Sequence, residues 1–296
     1  MPKILKRDTN IKTLLSILQK FLGRNVTFLD LCVDSPALYY RAFPWAPPLN
    51  PYPRVEERFL AFASSALPQR GTDFNCKMVP QEAAFLQTIH RAREKRQIRC
   101  WLDVGGGNGD LAYLVKLMCE EARVVIVDRD MPYYRRDEGG TQRLLKDIFD
   151  VSWHHDTRSS DFHTGVLCKH LCGTSLDRLL RSMITQGFRP CALVLAPCCY
   201  HKGSMEEFLG LGCVLPEARR WDPQDIALVR RYTGWSDERH HGKDLWRSDV
   251  GRFCERALDL GRIAFLEQYG YRVEVSSYVS REVTPKNTMI IAILKA

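Results

Sequence analysis

The stretch Trp101-Leu102-Asp103-Val104-Gly105-Gly106-Gly107-Asn108-Gly109-Asp110 decides how the chain reads. An apolar run, Arg99–Val104, enters it, and a helical pattern starting Leu111-Ala-Tyr-Leu-Val leaves it. A strand that ends in glycines and opens a helix makes a tight turn, and its bare backbone lets a ligand pass close by. Nineteen residues beyond Gly109, a second apolar run, Val124-Val-Ile-Val, ends in Asp128. An acid at the end of the second strand can accept hydrogen bonds from both hydroxyls of a ribose.

Further along, short apolar runs alternate with helical patterns. Val166–Leu167 and Ala192–Leu195 read as strand cores, and helices fit 109–121, 175–186 and 248–269. Such alternation predicts a mainly parallel sheet covered on both faces. Tyr271–Val279 and Thr288–Leu294 are joined by a short connection holding Pro285 and Asn287, so they should pair antiparallel. An α/β parallel sheet that ends in an antiparallel hairpin is the arrangement of the class I, Rossmann-like methyltransferases that use S-adenosylmethionine. That domain is expected over 76–296.

Residues 1–75 read as a separate basic extension, helical and proline-rich. The chain holds 43 Lys+Arg and 35 Asp+Glu, and residues 1–100 alone contain 16 and 8 of them. The whole excess therefore sits in the first third. Within 1–28, Lys3, Lys6, Arg7, Lys12, Lys20 and Arg24 face only Asp8, while Ile11, Leu14, Leu15, Leu18 and Leu22 make one apolar helical stripe. This pattern suits a surface helix, a mitochondrial targeting segment or an RNA-contacting arm that could also engage a protein partner. Phe43-Pro-Trp-Ala-Pro-Pro-Leu-Asn-Pro-Tyr-Pro-Arg54 should be irregular. Helices are expected over 54–67 and 80–97, the second ending in the basic run Arg91, Arg93, Lys95, Arg96, which suits a solvated face or phosphate contact.

Composition narrows the function classes. Of 296 residues, 45% are hydrophobic and 26% charged, which excludes a largely disordered chain. No apolar run is long enough for a membrane helix. Eleven cysteines in a chain of this length, with no signal peptide in view, read as mostly reduced thiols in an intracellular protein.

Two details of the glycine turn favour S-adenosylmethionine over a nicotinamide dinucleotide. The glycines run G-x-G-x-G, and Asp103 sits two residues before the first, where it can face an amino-acid ammonium. Lys146-Asp147-Ile148 supplies another acid, with Phe149 beside it for an adenine edge and face. The cofactor-binding candidates are therefore Asp103, Gly105, Gly107, Gly109, Asp128 and Asp147, together with Cys168.

Two Cys/His clusters follow the fourth and fifth strands: Cys168-Lys169-His170-Leu171-Cys172-Gly173 and Pro197-Cys198-Cys199-Tyr200-His201-Lys202. In a doubly wound sheet these strand ends border the ligand crevice. Zinc is one reading, but the spacing matches no common structural site and no metal is expected. Cysteine nucleophilic catalysis is another. The favoured reading is substrate positioning and deprotonation by Lys169, His170 and His201, with Lys169 the first candidate base. Arg230, Arg231, Arg239, His240 and His241 fall in a long insertion able to cover a nucleic acid.

These residues resemble the eukaryotic tRNA 2′-O-ribose methyltransferases of the acceptor stem. The likeness rests on Cys168–Gly173 with Asp177, Pro197–His201, Val127-Asp-Arg129 and Lys146-Asp-Ile148. It extends to Ile226–Trp235, Arg252–Tyr271 with Asp259-Leu-Gly-Arg262, and Glu282–Ala292, so it covers about 77–296. Tyr200 stands where that family usually has a second histidine. Residues 1–75 hold one cysteine, Cys32, and no histidine, so the N-terminal zinc modules of that family are missing from this stretch. The resemblance implies methyl transfer from S-adenosylmethionine to a ribose 2′-hydroxyl of RNA, tRNA first, with a cytoplasmic or nuclear location. The alternative is a methyltransferase-fold assembly factor on RNA, for example mitochondrial ribosomal RNA, with little catalysis of its own.

Overall fold

The computed structural model describes residues 9–22, 49–50, 54–67, 71–137, 139–202, 204, 207–209, 223–237 and 245–295. The chain divides into two compact units, Leu49–Cys198 with Leu266–Ala296, and Met1–Pro48 with Cys199–Phe265. The helices are α1 (Thr9–Leu22), α2 (Glu57–Ala66), α3 (Thr72–Lys95), α4 (Asp110–Met118), α5 (Trp153–Thr157), α6 (Ser175–Thr185), α7 (Pro223–Thr233) and α8 (Leu245–Gln268).

The unit that holds the glycine turn is built on one sheet. Its strands are β1 (Leu49–Asn50), β2 (Cys100–Val104), β3 (Arg123–Asp128), β4 (Thr141–Leu145), β5 (Thr164–Cys172), β6 (Ala192–Cys198), β7 (Tyr271–Ser277) and β8 (Thr288–Leu294). They lie in the order β1-β7-β8-β6-β5-β2-β3-β4. Only β8 runs against its neighbours, β6 and β7; the other pairings are parallel. The parallel sheet and its antiparallel closing hairpin are thus as the sequence predicts, and the fold is the class I methyltransferase α/β fold. The strand cores are unbroken apolar runs because both faces are covered: β2 and β6 are buried along their whole length. Phe85, Leu86 and Ile89 of α3 and Leu111, Leu114 and Val115 of α4 fill one core cluster with Trp101 and Ile126.

Strand β5 departs from this pattern at the place that matters. It is buried from Thr164 to Cys168, and then Lys169, His170 and Leu171 are half-buried and Cys172 exposed. Its register with β6 slips between Lys169 and Cys172, and His170 has φ 63°. A bulge of this kind re-aims side chains at a strand end.

Several expectations need correction. Helix α3 begins at Thr72, not 80, and carries Pro80 inside it. Proline favours a first turn, which made it read as a start. The expected boundary at 75/76 falls within this helix. Leu49–Asn50, inside the proline-rich stretch, pairs with Val275–Ser276. Phe43, Trp45 and Tyr52 of that stretch lie outside the described residues, as do Arg239, His240, His241, 1–8 and 23–28. Three elements were not anticipated: β4, α5 and α7, which places Arg230 and Arg231 in its last turn. The basic run 91–96 is partly tied into the fold. Arg93 pairs with Glu121, Arg96 donates to the Leu294 carbonyl, and Lys95 lies 3.6 Å from Glu274.

In the other unit, α1 packs on α7, and Leu14 is fully buried. Tyr232, Trp235 and Trp246 meet edge to face. Ser236 Oγ donates to Glu255 Oε1 at 2.7 Å. Tyr200 donates to Asp259 Oδ2 at 2.7 Å, and Arg262 holds Oδ1 of the same carboxylate at 2.8 Å. All three are almost wholly buried, so Asp259 and Arg262 form a paired structural network with the tyrosine. Among the described residues no helix is long and apolar enough to cross a membrane.

One close approach sets the centre of the sheet. A Cβ on Gly165 of β5 would lie 2.3 Å from the Trp101 ring of β2. Gly165→Ala should therefore cost about 1–3 kcal/mol through overpacking. Urea unfolding would show this as a lower midpoint, and an unchanged midpoint would contradict the packing described.

Candidate active site

The turn after β2 is shaped by backbone geometry. Gly105, Gly107 and Gly109 have φ of 70°, 51° and 86°, the left-handed region that favours glycine. At Gly105 a Cβ would also meet Leu171 Cδ1 at 2.9 Å, and at Gly106 it would meet Asp103 Oδ2 at 2.7 Å. The Gly107 N–H donates to Asp128 Oδ2 at 2.9 Å, and the Asp130 N–H donates to Oδ1 at 3.0 Å. Asp128 thus stands half-buried at the end of β3, bound to the turn, with remaining lone pairs for a ribose. Arg143 of β4 closes the other side. It donates to the Gly107 carbonyl at 2.9 Å and pairs with Asp137 at 2.8 Å.

Beside the turn lies a cavity of about 180 Å³, lined by Met78, Glu82, Asp103, Gly105, Asn108 and Lys169 among others. Three carboxylates, Glu82, Asp103 and Asp110, line it with one ammonium, and Asp110 Oδ1 lies 3.6 Å from Arg136 Nε. Lys169 Nζ pairs with Glu82 Oε1, and both side chains are nearly enclosed. Glu82 Oε2 and Asp103 Oδ2 are buried with no hydrogen-bond partner among the described residues. Burial, and then the Glu82 charge, push Asp103 up to about 7, although Lys169 opposes this. Burial likewise raises Glu82 against the pull of Lys169. Buried carboxylate oxygens without a partner are costly, so with several carboxylates to one ammonium this cavity is short of positive charge.

His170 faces α3 as well. Its Nε2 lies 2.8 Å from Gln81 Oε1, which also accepts from the Tyr278 hydroxyl at 3.0 Å. Burial, and then the Lys169 charge, push His170 down to about 4, so the ring is neutral at neutral pH.

The structure therefore brings Asp103, Gly105, Gly107, Gly109, Asp128, Lys169 and His170 to one end of the sheet. Asp147 is half-buried in the next loop, where its Oδ1 accepts the Phe149 N–H at 3.1 Å. Phe149 already carries the Arg178 guanidinium on its ring, at 3.3 Å from the centroid. Cys168 is enclosed within β5 and alternates with Lys169, so the two point to opposite faces. Cys172 Sγ and Cys198 Sγ lie 3.4 Å apart and are not joined in a disulfide. His201 is exposed and belongs to the other unit. Sequence reasoning missed Gln81, Glu82, Arg143 and Tyr278. The signal for the first two was a polar pair directly before the apolar run Ala83-Ala84-Phe85-Leu86.

The sequence model of the family described as "Methyltransferase TRM13" matches residues 80–245 and 236–293. The chain is 23% identical over 274 residues to the "tRNA:m(4)X modification enzyme TRM13" of Yarrowia lipolytica, covering 73% of this chain and 59% of that protein. It is 23% identical over 193 residues to a "Glutathione S-transferase C-terminal domain-containing protein" of Xenopus laevis, covering 64% of this chain and 30% of that one. The chain thus spans less than two thirds of either relative. Among solved structures, the methyltransferase domain of bacterial CtHen1-C aligns at 14% identity with a TM-score of 0.40, over 73% of this chain and all of that one. With its family match running from α3 through β8, the chain belongs to the TRM13 methyltransferase family.

Proposed function

We propose that the chain transfers a methyl group from S-adenosylmethionine to a ribose 2′-hydroxyl of tRNA. The observation that carries the reading is the charge-deficient cavity at the glycine turn, where Lys169 is the one ammonium among the described residues lining it beside Glu82 and Asp103. The ammonium of an amino-acid moiety supplies the missing charge, and the side-chain-free turn leaves it room. Asp128, fixed by the Gly107 N–H, is placed for ribose hydroxyls. These residues fit S-adenosylmethionine, which when bound provides an electrophilic methyl group on a sulfonium.

The protein's own contribution is orientation and proton transfer. Lys169, pinned by Glu82, holds a positive charge beside the reacting hydroxyl. His170, neutral and pinned by Gln81, takes the hydroxyl proton. His170 rather than Lys169 is our choice of base, since an ammonium paired with a buried carboxylate has no lone pair to offer. The RNA assignment draws on the Cys168–Gly173 and Pro197–His201 resemblance, on the printed name of the Yarrowia lipolytica relative, and on the basic first third. Assembly-factor activity without turnover is the reading left if RNA binds and is not methylated.

Calorimetric titration of the full chain with S-adenosylmethionine tests the cofactor half. Asp128→Ala should weaken binding at least ~10-fold, the scale of a lost charged hydrogen bond. Asp103 binds a cation only when ionised, so affinity should fall as pH drops through about 7, and Asp103→Asn should flatten that dependence. No binding by the folded protein would sink the reading.

Transfer of labelled methyl to unmodified bulk tRNA tests the other half. His170→Ala should lower the rate roughly 100-fold, within the usual range for a lost general base. Labelled 2′-O-methyl nucleosides should appear after digestion; a label on a base would overturn the ribose assignment.

A further inference from the structure

Among the residues around the site, α3 contributes a side chain that holds His170. Gln81 is buried, and its amide is used on both sides. Nε2 donates to the Lys77 carbonyl at 2.8 Å, in the helical turn that Pro80 interrupts. Oε1 accepts the Tyr278 hydroxyl at 3.0 Å and faces His170 Nε2 at 2.8 Å. An amide oxygen cannot donate, so the hydrogen of this last contact belongs to the imidazole. A neutral ring protonated at Nε2 has its lone pair at Nδ1. The backbone adds a second mark. His170 sits at φ 63°, in the left-handed region that costs a side-chain-bearing residue about 1 kcal/mol or more, within the register slip of β5.

We propose that Gln81 and Tyr278 are positioning residues that fix His170 as the Nε2–H tautomer, leaving Nδ1 to take the proton of the acceptor hydroxyl. The catalytic part of this inference rests on the hydroxyl-methylation reading above. In that step the hydroxyl O–H bond breaks and the proton goes to Nδ1; the pair left on oxygen forms the new bond to the methyl carbon, while the methyl–sulfur bond of the bound sulfonium would break with its electron pair staying on sulfur. Gln81 then accepts from an imidazolium as readily as from an imidazole, so the ring need not move. The titratable groups around the ring are Lys169 on its own strand, Glu82 on α3 through Lys169, Tyr278 through Gln81, and the thiols of Cys172 and Cys198. Tyr278 is itself pushed upward by burial, so it stays a hydrogen-bond donor.

Long-range ¹H–¹⁵N spectra of the full chain read the tautomer without any turnover, with His170 assigned by the signal lost in His170→Gln. The Nε2–H form is expected at neutral pH, and an Nδ1–H form overturns the proposal. Single-turnover methyl transfer to bulk tRNA reads the role. Gln81→Leu and Tyr278→Phe should lower the rate about 10-fold or more, as loss of an orienting partner does, with the RNA KM unchanged. Gln81→Glu should move the acidic limb of the pH–rate profile upward, because a carboxylate there favours the imidazolium, which cannot accept a proton. A purely structural role predicts no such movement. An inactive wild type would mark failure of the hydroxyl-methylation reading. An active wild type whose three variants keep its rate and pH limb would overturn this inference alone.

Discussion

The ammonium of Lys169 rests on the carboxylate of Glu82, and much of the site follows from that contact. It ties the middle of α3 to the end of β5, where the sheet stops being buried. A pair this enclosed gains little net stability, because removing two charges from water offsets their attraction. Its value lies in specificity of arrangement. Burial raises both Glu82 and Asp103, with the Glu82 charge adding to the rise at Asp103, so a single ammonium answers only part of the negative charge at the glycine turn. A cationic ligand completes it, and until then the cavity holds a strain that only such a ligand relieves.

The same helix also holds His170. Pro80 denies the helix one backbone donor, and the Gln81 side chain donates to a carbonyl of the same turn. From there Gln81 reaches His170, and Glu82, the next residue, reaches Lys169. Two adjacent residues of α3 thus address two adjacent residues of β5, each with a different chemistry: one stabilises charge, the other directs a lone pair.

Much of the fold was legible because it depends on local rules. The apolar runs of β2, β3 and β6 are continuous since both faces are covered, and the glycines of the turn announce their own geometry. Asp103, Asp128, Lys169 and His170 could be named because they stand at strand ends. Their partners could not. Glu82 and Gln81 lie some ninety residues earlier, on a helix whose start was misplaced because Pro80 resembles a first-turn residue. Arg143 belongs to β4, a half-exposed strand with no clean alternation. Tyr278 lies past the end of β7 and meets the site only through the sheet order. Tertiary charge pairing, in short, leaves no trace in periodicity.

The Arg143 contacts bear on how the two ligands respond to ionic strength. Its guanidinium is almost wholly enclosed where it grips the Gly107 carbonyl and Asp137, and enclosed pairs are screened little by salt. The shape of the glycine turn should therefore hold from dilute buffer to physiological salt. Recognition of a polyanion by a chain of net charge +8 works on the other footing, because it gains from counterions released into solution and fades as salt rises. On the proposed function, salt becomes a dial that acts on one ligand and spares the other: a changed ionic milieu would alter how long the chain stays on RNA while leaving the glycine turn in shape for its cofactor.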